Sequence, residues 1–468
     1  MPALRSRHAY HSPYGVTVKQ KSKTVRFVDL FAGLGGFHAG LSRLRCVNAR
    51  CVFASELDDG LRHLYEMNFE QPCYGDITSI KANDIPEHDL LCAGFPCQPF
   101  SKAGEQLGLA CERNGDLFED HLLRVIRRHR PRYILLENVP NLARHDDGRT
   151  WEHMSGLLKE LGYDIDWRVL SPDQFDMPQV RARMFIVGQL IETGGLQEFD
   201  WPRPSIHEPS IYTVLEDNPV AVRSIPDHYA AAVDIWNEFV CRFDSNGWTL
   251  PSFPIWAMEF GADYPVFDST RIPSKLTTRQ LAGYCGSFGN ELRHVPPKER
   301  LAALPPYARA STFPRWKQSF IQQNRDLYNR DHCWLDGWKS QLEQFAPSLQ
   351  KLEWNCKGEV YDIWEHVIQM RASGIRVKRS TSAPALIAMT STQVPIIGRL
   401  QRYMTVRECA GLQSMSQLKH LPESSSGAFR ALGNAVNAKL VQIVAKALLS
   451  PSPKTSRGKA GRQMALYS

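Results

Sequence analysis

Short apolar runs alternate with amphipathic stretches over the first part of the chain. The runs are apolar almost throughout, which is typical of strands buried on both faces of a parallel sheet. The clearest are VRFVDLFA (25–32), CVFASEL (51–57), DLLCAGF (89–95) and RYILLENV (132–139). The intervening stretches LFEDHLLRVIRRH (117–129) and WEHMSGLLKELG (151–162) have helical spacing. This alternation predicts an open α/β sheet.

The alternation ends after ARMFIVGQL. From about Glu192 to Arg399, prolines, tryptophans and irregular spacing replace it, and helical spacing returns in MTVRECAGLQ and AFRALGNAVNAKLVQIVAKALL. We therefore expect the following parts: a basic N-terminal arm (1–24), an α/β domain (25–192), a smaller irregular second domain (193–399), a return to the first domain (400–450) and a basic flexible tail (451–468).

Composition places the chain among globular proteins. With 468 residues, of which 43% are hydrophobic and 22% charged, it can bury a full core. No apolar run approaches the roughly 20 residues of a membrane-spanning helix, and the N-terminus lacks the apolar segment of a signal peptide. The 11 cysteines include no CxxC pair, so we expect neither a disulfide framework nor a metal site. These features favour a reducing cytosol.

The formal charge of +7 is unevenly distributed. Both ends of the chain carry lysines and arginines without acids, and they are either solvated tails or phosphate contacts. A third basic cluster, RASGIRVKR, lies inside the chain at residues 371–379. This cluster indicates a nucleic-acid contact, although a solvated loop is the alternative.

A glycine turn in DLFAGLGGF (29–37) follows the first predicted strand and allows backbone to approach a nucleotide-like ligand. The turn lacks the dinucleotide fingerprint, because His38 stands where the third glycine is needed. Glu56 ends the next strand and could bind ribose hydroxyls, or simply begin a helix. Asp76, in GDIT, follows a third strand and could accept from an adenine amino group, or cap a turn. Together these positions favour an adenosyl ligand other than NAD.

Reactive candidates follow two further strands. Cys97, in GFPCQPFS, lies on a proline-stiffened loop after a buried strand, where a thiol is better placed to react than inside the strand. Glu137 ends the strand in ENV, and QVRARMF places Arg181 and Arg183 on the same face of a strand. The alternatives are a partly exposed acid and an ion pair on an edge strand. All these elements are expected at one edge of one sheet.

The order of these motifs resembles the bacterial DNA cytosine-5 methyltransferases. The matching motifs are DLFAGLGGF, SELD, GDIT, GFPCQPFS, RNGDLF, ENV, QVRAR, RYMTVRECAGLQ and LGNAV. The resemblance is close over residues 25–192 and 400–449. It implies a Rossmann-like sheet that uses S-adenosylmethionine, with a target recognition domain at 193–399.

The resemblance also implies roles for individual residues. The expected cofactor contacts are Phe31, Ala32, Gly33, Leu34, Gly35, Gly36, Glu56, Leu57, Asp76, Ile77, Pro96, Leu117, Asn434 and Ala435. The expected catalytic residues are Cys97, Gln98, Glu137, Arg181 and Arg183. The expected DNA contacts are Ser101, Arg371, Arg376, Lys378 and Arg379.

The chemistry explains why these residue types are needed. Carbon 5 of cytosine is a poor nucleophile until a thiolate, here Cys97, adds to carbon 6. Glu137 would hold cytosine N3 and the amino group, Arg183 would bind O2, and Arg181 would help fix the nucleophile's loop. The target base must leave the duplex to be attacked, so a second domain is required on the other side of the DNA.

Two positions depart from the family pattern. Ala385-Leu386 stands where relatives usually have Thr-Leu, which leaves the base-reading residues open, and Ala435 stands where many relatives have serine. A tRNA cytosine-5 methyltransferase is one alternative function, although its recognition region would be much shorter. A catalytically silent DNA-binding regulator is another, although Cys97, Glu137 and both arginines are present.

The resemblance sets further expectations about partners and location. We expect double-stranded DNA as the partner, a monomer without membrane attachment, and the bacterial cytosol as the location. A cognate restriction endonuclease would be a further partner, which acts on the same DNA site without forming a stable complex with this protein.

Overall fold

The computed structural model describes residues 23–96, 117–220, 222–268, 270–386 and 391–450. Three residues with predicted roles, Cys97, Gln98 and Ser101, lie outside these ranges, as do residues 1–22 of the arm and the tail from 451. Of the helices within the described ranges, none combines the length and apolar character that a membrane crossing requires.

A seven-stranded sheet, in the order β3-β2-β1-β4-β5-β8-β6, forms the first half of the protein. Its strands are β1 (Thr24–Leu30), β2 (Asn48–Ser55), β3 (Cys73–Tyr74), β4 (Leu90–Gly94), β5 (Tyr133–Asn138), β6 (Tyr163–Leu170) and β8 (Arg183–Leu190). The four strands predicted from apolar runs are the central ones, and neighbours among them pair in parallel. Only β8 runs antiparallel, to both β5 and β6. The predicted Rossmann-like α/β fold is confirmed.

Helices cover both faces of this sheet. They are α1 (Gly36–Leu41), α2 (Asp59–Phe69), α3 (Leu123–His129), α4 (Arg149–Glu160) and α11 (Ala438–Leu449). Alternate residues of β1 point to different cores: Phe27 packs with α1 and α11, whereas Val28 packs with α3 and α4. A wide π-helical turn, Leu117–Leu122, leads into α3. Burial on both faces explains why the strands are apolar throughout.

The second half contains a six-stranded sheet in the order β15-β14-β11-β12-β10-β9. Its strands are β9 (Ile255–Trp256), β10 (Lys351–Asn355), β11 (Val367–Arg371), β12 (Gly374–Lys378), β14 (Ile396–Ile397) and β15 (Arg402–Tyr403), and its helices are α5 (Asp227–Ser245), α6 (Thr278–Leu281), α7 (Arg315–Arg330) and α8 (His332–Lys339). Trp236 of α5 and Trp338 of α8 pack edge to face at 5.1 Å in its core. Strands of two residues are too short to produce a recognisable hydrophobic periodicity, which explains the irregular sequence pattern.

Several contacts join the two halves. A two-residue strand, β7 (Gln179–Val180), pairs in parallel with β13 (Ala383–Pro384). After β15 the chain returns to the first half through α9 (Val406–Leu412). Arg402, at the start of β15, forms a buried ion pair with Glu408 of α9 at 2.7 Å. The second sheet is thus tied to the first at more than one point.

The C-terminal helical run is broken where the sequence pattern is continuous. The structure contains α10 (Ser425–Asn434) and α11 instead of one helix. Ala435 has extended backbone, and the Asn437 side chain accepts from Lys439 N at 3.0 Å and Leu440 N at 3.2 Å. Asn437 therefore caps a new helix, because a side-chain oxygen at this position satisfies free backbone N–H groups.

The contact between α1 and α11 predicts opposite effects for two glycine-to-alanine changes. A Cβ on Gly40 would lie 2.7 Å from both Ala438 O and Val441 Cβ, whereas a Cβ on Gly156 of α4 would meet nothing within 4 Å. We expect Gly40→Ala to destabilise by about 1–3 kcal/mol through overpacking. Gly156→Ala should stabilise by about 0.5–1 kcal/mol, since alanine loses less entropy in a helix. Urea unfolding of both variants checks this, and equal effects would contradict the packing.

Candidate active site

The glycine turn lies at the carboxyl end of β1, as predicted. Phe31, Gly33 and Gly35 all have positive φ, at 57°, 54° and 81°. Left-handed backbone at a non-glycine residue such as Phe31 is uncommon and clusters at functional sites. A Cβ on Gly35 would lie 2.2 Å from Phe69 Cε2, so only glycine fits there. The turn is therefore held tightly against α2.

Glu56 fixes this turn to the end of β2. Its Oε2 accepts from Gly33 N at 2.8 Å and its Oε1 accepts from Asp58 N at 3.0 Å. A carboxylate has about four acceptor positions, so both oxygens can still accept from ribose hydroxyls. Leu57, the next residue, is 70% exposed and offers apolar surface beside the carboxylate.

Asp76 lies after β3, at the same edge of the sheet. Its Oδ1 accepts from Thr78 N at 2.9 Å, so it caps a turn as the alternative interpretation proposed. Within the described part of the chain its Oδ2 has no hydrogen-bond partner, which leaves an acceptor for an amino group. Ile77 beside it is buried. Carboxylate acceptors at Glu56 and Asp76, with apolar surface at Leu57, fit an adenosyl group.

The remaining predicted cofactor residues come from distant parts of the chain. Leu117 begins the π-helical turn, and Asn434 is the exposed last residue of α10. Ala435 is buried, and a Cβ on Gly36 would lie 2.5 Å from Val436 O. The structure thus brings the turn at 434–436 against the glycine turn, although about 400 residues separate them in sequence. Pro96 is half-buried just after β4.

Glu137 is the last residue but one of β5. It lies opposite Gly94 of β4 and Phe185 of β8, and its side chain is 11% exposed. Arg183 Nε is 3.0 Å from Glu137 Oε1. Burial raises the pKa of Glu137, and the positive charges of Arg183 and Arg181 oppose this rise. Glu137 Oε2 has no hydrogen-bond partner among the described residues, so one oxygen remains available to a ligand.

Arg181 and Arg183 do not share the face of one strand, so that prediction is wrong. β7 ends at Val180 and β8 begins at Arg183, which places Arg181 between strands. Its guanidinium donates to Gly433 O at 2.6 Å, Ala435 O at 3.2 Å and Leu386 O at 3.4 Å. A buried guanidinium needs such acceptors, and the break in the strand lets it reach them. β8 is also a central strand rather than an edge strand.

The described chain leads up to the predicted nucleophile. β4 ends at Gly94. A Cβ added to Gly94 would lie 3.6 Å from Glu137 Oε2, so the end of β4 is close to this carboxylate. Asn138, which the sequence reasoning did not single out, donates from Nδ2 to Phe95 O at 3.4 Å. Its Oδ1 accepts from Val139 N at 2.8 Å. A buried asparagine in an apolar run is the signal that could have identified it.

Asp29 is a second residue that the sequence reasoning missed, although it stands within the first motif. It is fully buried in β1, and Tyr65 OH donates to its Oδ2 at 3.4 Å. His38 Nδ1 is 2.8 Å from the same hydroxyl, and its ring stacks on Phe69 at 4.1 Å. Burial raises the pKa of Asp29 well above its usual range. His38 therefore belongs to a buried polar network behind the glycine turn.

The basic cluster lies on the hairpin formed by β11 and β12. The strand register places Arg371, Arg376 and Lys378 on one face. Arg376 forms an ion pair with Glu353, and Arg379 Nε is 3.3 Å from Glu359 Oε1. Burial and the charge of Arg376 lower the pKa of Lys378.

A nearby carboxylate acts in the opposite direction on the pKa of Lys378. The carboxylate of Asp173 is close enough to counteract that lowering, and Asp173 belongs to the loop that precedes Arg181. Ser171 of that loop accepts from Arg181 N at 3.0 Å. The basic face contains a charge that is already paired, at Arg376.

Comparisons with known proteins agree with this arrangement. The family model for C-5 cytosine-specific DNA methylase matches residues 25–240 and 291–450. The chain is 30% identical to Type II methyltransferase M.AluI of Cellulosimicrobium cellulans over 89% of this chain and 90% of that protein. It is 40% identical to Type II methyltransferase M.HhaI of Haemophilus parahaemolyticus, over 40% of this chain and 56% of that protein.

A solved structure has a similar fold. It is a prophage-encoded protein of E. coli named as a DNA modification methyltransferase. Its TM-score is 0.50 at 17% identity, and the match covers 91% of this chain and 99% of that one. At this identity the similarity concerns the fold alone.

Proposed function

Because this chain belongs to the family of C-5 cytosine-specific DNA methylases, we propose that it methylates one cytosine within a specific short sequence of double-stranded DNA. The chain is a DNA cytosine-5 methyltransferase, and S-adenosylmethionine supplies the methyl group when bound. The proposal concerns how it works: the target base is flipped out and held by a covalent bond between Cys97 and carbon 6. The observation that carries this is Glu137 Oε2, which has no hydrogen-bond partner among the described residues and lies beside Gly94, three residues before Cys97 in the sequence.

Glu137 is proposed to bind the Watson–Crick edge of the cytosine. A buried carboxyl with a raised pKa can keep a proton, which it donates to N3 while its other oxygen accepts from the amino group. Arg183 fixes Glu137 Oε1 at 3.0 Å and would offer a remaining N–H to O2. Positive charge on the ring at N3 makes carbon 6 more electrophilic. Glu137 thereby favours addition of the nucleophile.

Cys97 is proposed to supply that nucleophile. Its thiolate forms the S–C6 bond, and the electron pair displaced from the C5–C6 double bond makes carbon 5 nucleophilic. After carbon 5 has gained the methyl group, loss of its proton to a base lets the S–C6 bond break and restores the ring. Arg181 holds the turn at 433–435 and the segment at Leu386, and so would fix the surroundings of this step. Gln98 would support the nucleophile's loop.

The cofactor would be held by the residues around the glycine turn. Glu56 would accept from the ribose hydroxyls and Asp76 from the adenine amino group, with Leu57 and Ile77 against the ring. Phe31 and Leu34 at the turn, together with Pro96, Leu117 and Asn434, would complete the walls. The open acceptors at Glu56 and Asp76 support this arrangement.

The second half is proposed to be the target recognition domain. A flipped base requires contacts on the other side of the duplex, and β11 and β12 of the second half present Arg371, Arg376 and Lys378 on one face. Arg371 and Lys378 have no ion-pair partner in the described part of the chain, so they are the better candidates for DNA contacts. The resemblance to the family also makes Ser101 a candidate for a DNA contact.

Further proposals concern the setting of the enzyme. Since M.AluI and M.HhaI are Type II methyltransferases, a cognate restriction endonuclease would act on the same sequence without a stable complex. The enzyme would act as a monomer in the bacterial cytosol. The RNA and regulator alternatives remain less supported, because the second half is long and the catalytic residue types are present.

The covalent step predicts that Cys97→Ala abolishes methyl transfer while DNA binding persists. Alanine cannot form the S–C6 bond, whereas the phosphate contacts are unaffected. Duplexes that contain 5-fluorocytosine should trap the wild type as a denaturation-resistant complex, because fluorine cannot leave as a proton does. Cys333→Ala, at an exposed cysteine, is the control and should keep both activity and trapping. Methylation by Cys97→Ala would refute the mechanism.

The raised pKa of Glu137 predicts a pH-dependent chemical step. The protonated carboxyl is the active form, so the single-turnover rate should fall as pH rises through its pKa. Glu137→Gln should lower the rate by about 10²–10⁴-fold and remove this alkaline limb. Glu259→Gln is a matched control. Glu259 is also buried and lies 3.1 Å from Arg325, but it belongs to the second half and is far from Glu137 in the sequence. An unchanged rate for Glu137→Gln would exclude Glu137 from the step.

Sequence discrimination should reside in the second half. We propose exchanging residues 217–399 for the matching segment of a relative with another target, which leaves the contact between Glu216 and Thr405 in place. The chimera should acquire the relative's target, as read by bisulfite sequencing. An active chimera with the original target would show that bases are read elsewhere.

Single changes in the basic cluster should separate two kinds of contact. Alanine at Arg371 or Lys378 should have one of two effects. It should either relax the preference at one base pair, by about 1–3 kcal/mol, or weaken binding to all DNA sequences equally. Alanine at Arg379, which is paired with Glu359, serves as the control and should have a smaller effect.

A further inference from the structure

Helix α3 is bonded to the loop that follows Asp76. Arg124 donates from Nη2 to Ile80 O at 2.7 Å and to Ile77 O at 3.2 Å. One turn further along the helix, His129 Nε2 donates to Ala82 O at 2.7 Å. These bonds link two segments that are more than 40 residues apart in sequence. The loop is therefore attached to the helix at its beginning and near its end.

Arg124 acts closest to the predicted adenine contact. Ile77, whose carbonyl it binds, directly follows Asp76, and Asp76 Oδ1 is itself bonded to Thr78 N. Hydrogen bonds from a charged donor contribute more than neutral ones, so Arg124 is the strongest of these attachments. The position of the Asp76 carboxylate consequently depends on a side chain that would not touch the ligand.

The helix that carries Arg124 is rigidly fixed. Leu123, Val125 and Ile126 around it are fully buried in the core beneath the sheet. The same helical segment begins with the turn at Leu117, a predicted cofactor contact. Arg124 thus connects a packed element to a loop that has few buried residues of its own.

We propose that Arg124 is a positioning residue for adenine recognition, which holds the loop at 76–80 so that Asp76 can accept from the adenine amino group. This rests on the proposed role of Asp76. Arg124 contributes through the Ile77 and Ile80 carbonyls and not through contact with the cofactor. Replacement of Arg124 should therefore weaken the preference for a ligand that carries the adenine amino group, and not merely the stability of the protein.

The test compares binding of two ligands by calorimetry with the full chain. S-adenosylhomocysteine carries the amino group, and S-inosylhomocysteine has a carbonyl oxygen in its place. The wild type should prefer the former by roughly tenfold or more, because a carboxylate repels the carbonyl oxygen. In Arg124→Met and in Asp76→Ala this ratio should fall towards one. Arg127→Met, on the exposed side of α3, is the control and should keep the wild-type ratio.

The outcomes separate the inference from the proposed function. If the ratio falls in Asp76→Ala but not in Arg124→Met, the positioning role is overturned and the adenine contact stands. If it is unchanged in Asp76→Ala, the adenine contact itself is wrong and the inference fails with it. Should Arg124→Met not fold, Arg124→Lys decides. Arg124 Nη2 makes both bonds, and the lysine nitrogen ends one bond short of that position, so its ratio should fall part of the way, and an unchanged ratio would also overturn the role.

Discussion

The guanidinium of Arg181 is the interaction on which the site depends most. It is buried, with 4% of its surface exposed, and binds the carbonyls of Gly433, Ala435 and Leu386. These acceptors come from α10, from the residue that follows it and from the segment after β13, while Arg181 itself lies between β7 and β8. A buried charge that lost them would be strongly destabilising, so the parts of the chain are held in one arrangement.

Two of the buried glutamate–arginine pairs differ in their consequences. Glu259 is completely buried, and its Oε2 binds Arg325 at 3.1 Å while its Oε1 accepts from the hydroxyls of Tyr264 and Tyr307. Its acceptors are occupied, which fits a structural role. Within the described residues Glu137 is bonded through one oxygen, to Arg183, at the carboxyl edge of a sheet where ligands usually bind. Location and the smaller number of bonds, rather than burial alone, distinguish Glu137, for which we propose a catalytic role.

The cofactor side is built from backbone as much as from side chains. The glycine turn packs so closely that a Cβ on Gly35 or Gly36 would overlap Phe69 or Val436. Glu56 secures the turn from one direction, and the C-terminal turn at 434–436 closes it from the other. These contacts hold the Glu56 carboxylate, for which we propose a bond to the ribose, in place before any ligand arrives, which would lower the cost of binding.

The sequence by itself determined the first sheet and the nature of the chemistry. Strands buried on both faces must be apolar throughout, and a turn with positive φ selects glycine, so both leave local patterns that can be read without a structure. The same patterns located Glu56, Asp76 and Glu137 at strand ends. Tertiary structure alone decided the rest. The two-residue strands of the second sheet and the separation of Arg181 from Arg183 carry no local signal, whereas the break at Ala435 has one in the capping residue Asn437. Each is stabilised by partners far away in sequence, such as Gly433 for Arg181 or Ile77 for Arg124, and hydrogen bonds of that kind form only when the chain has folded.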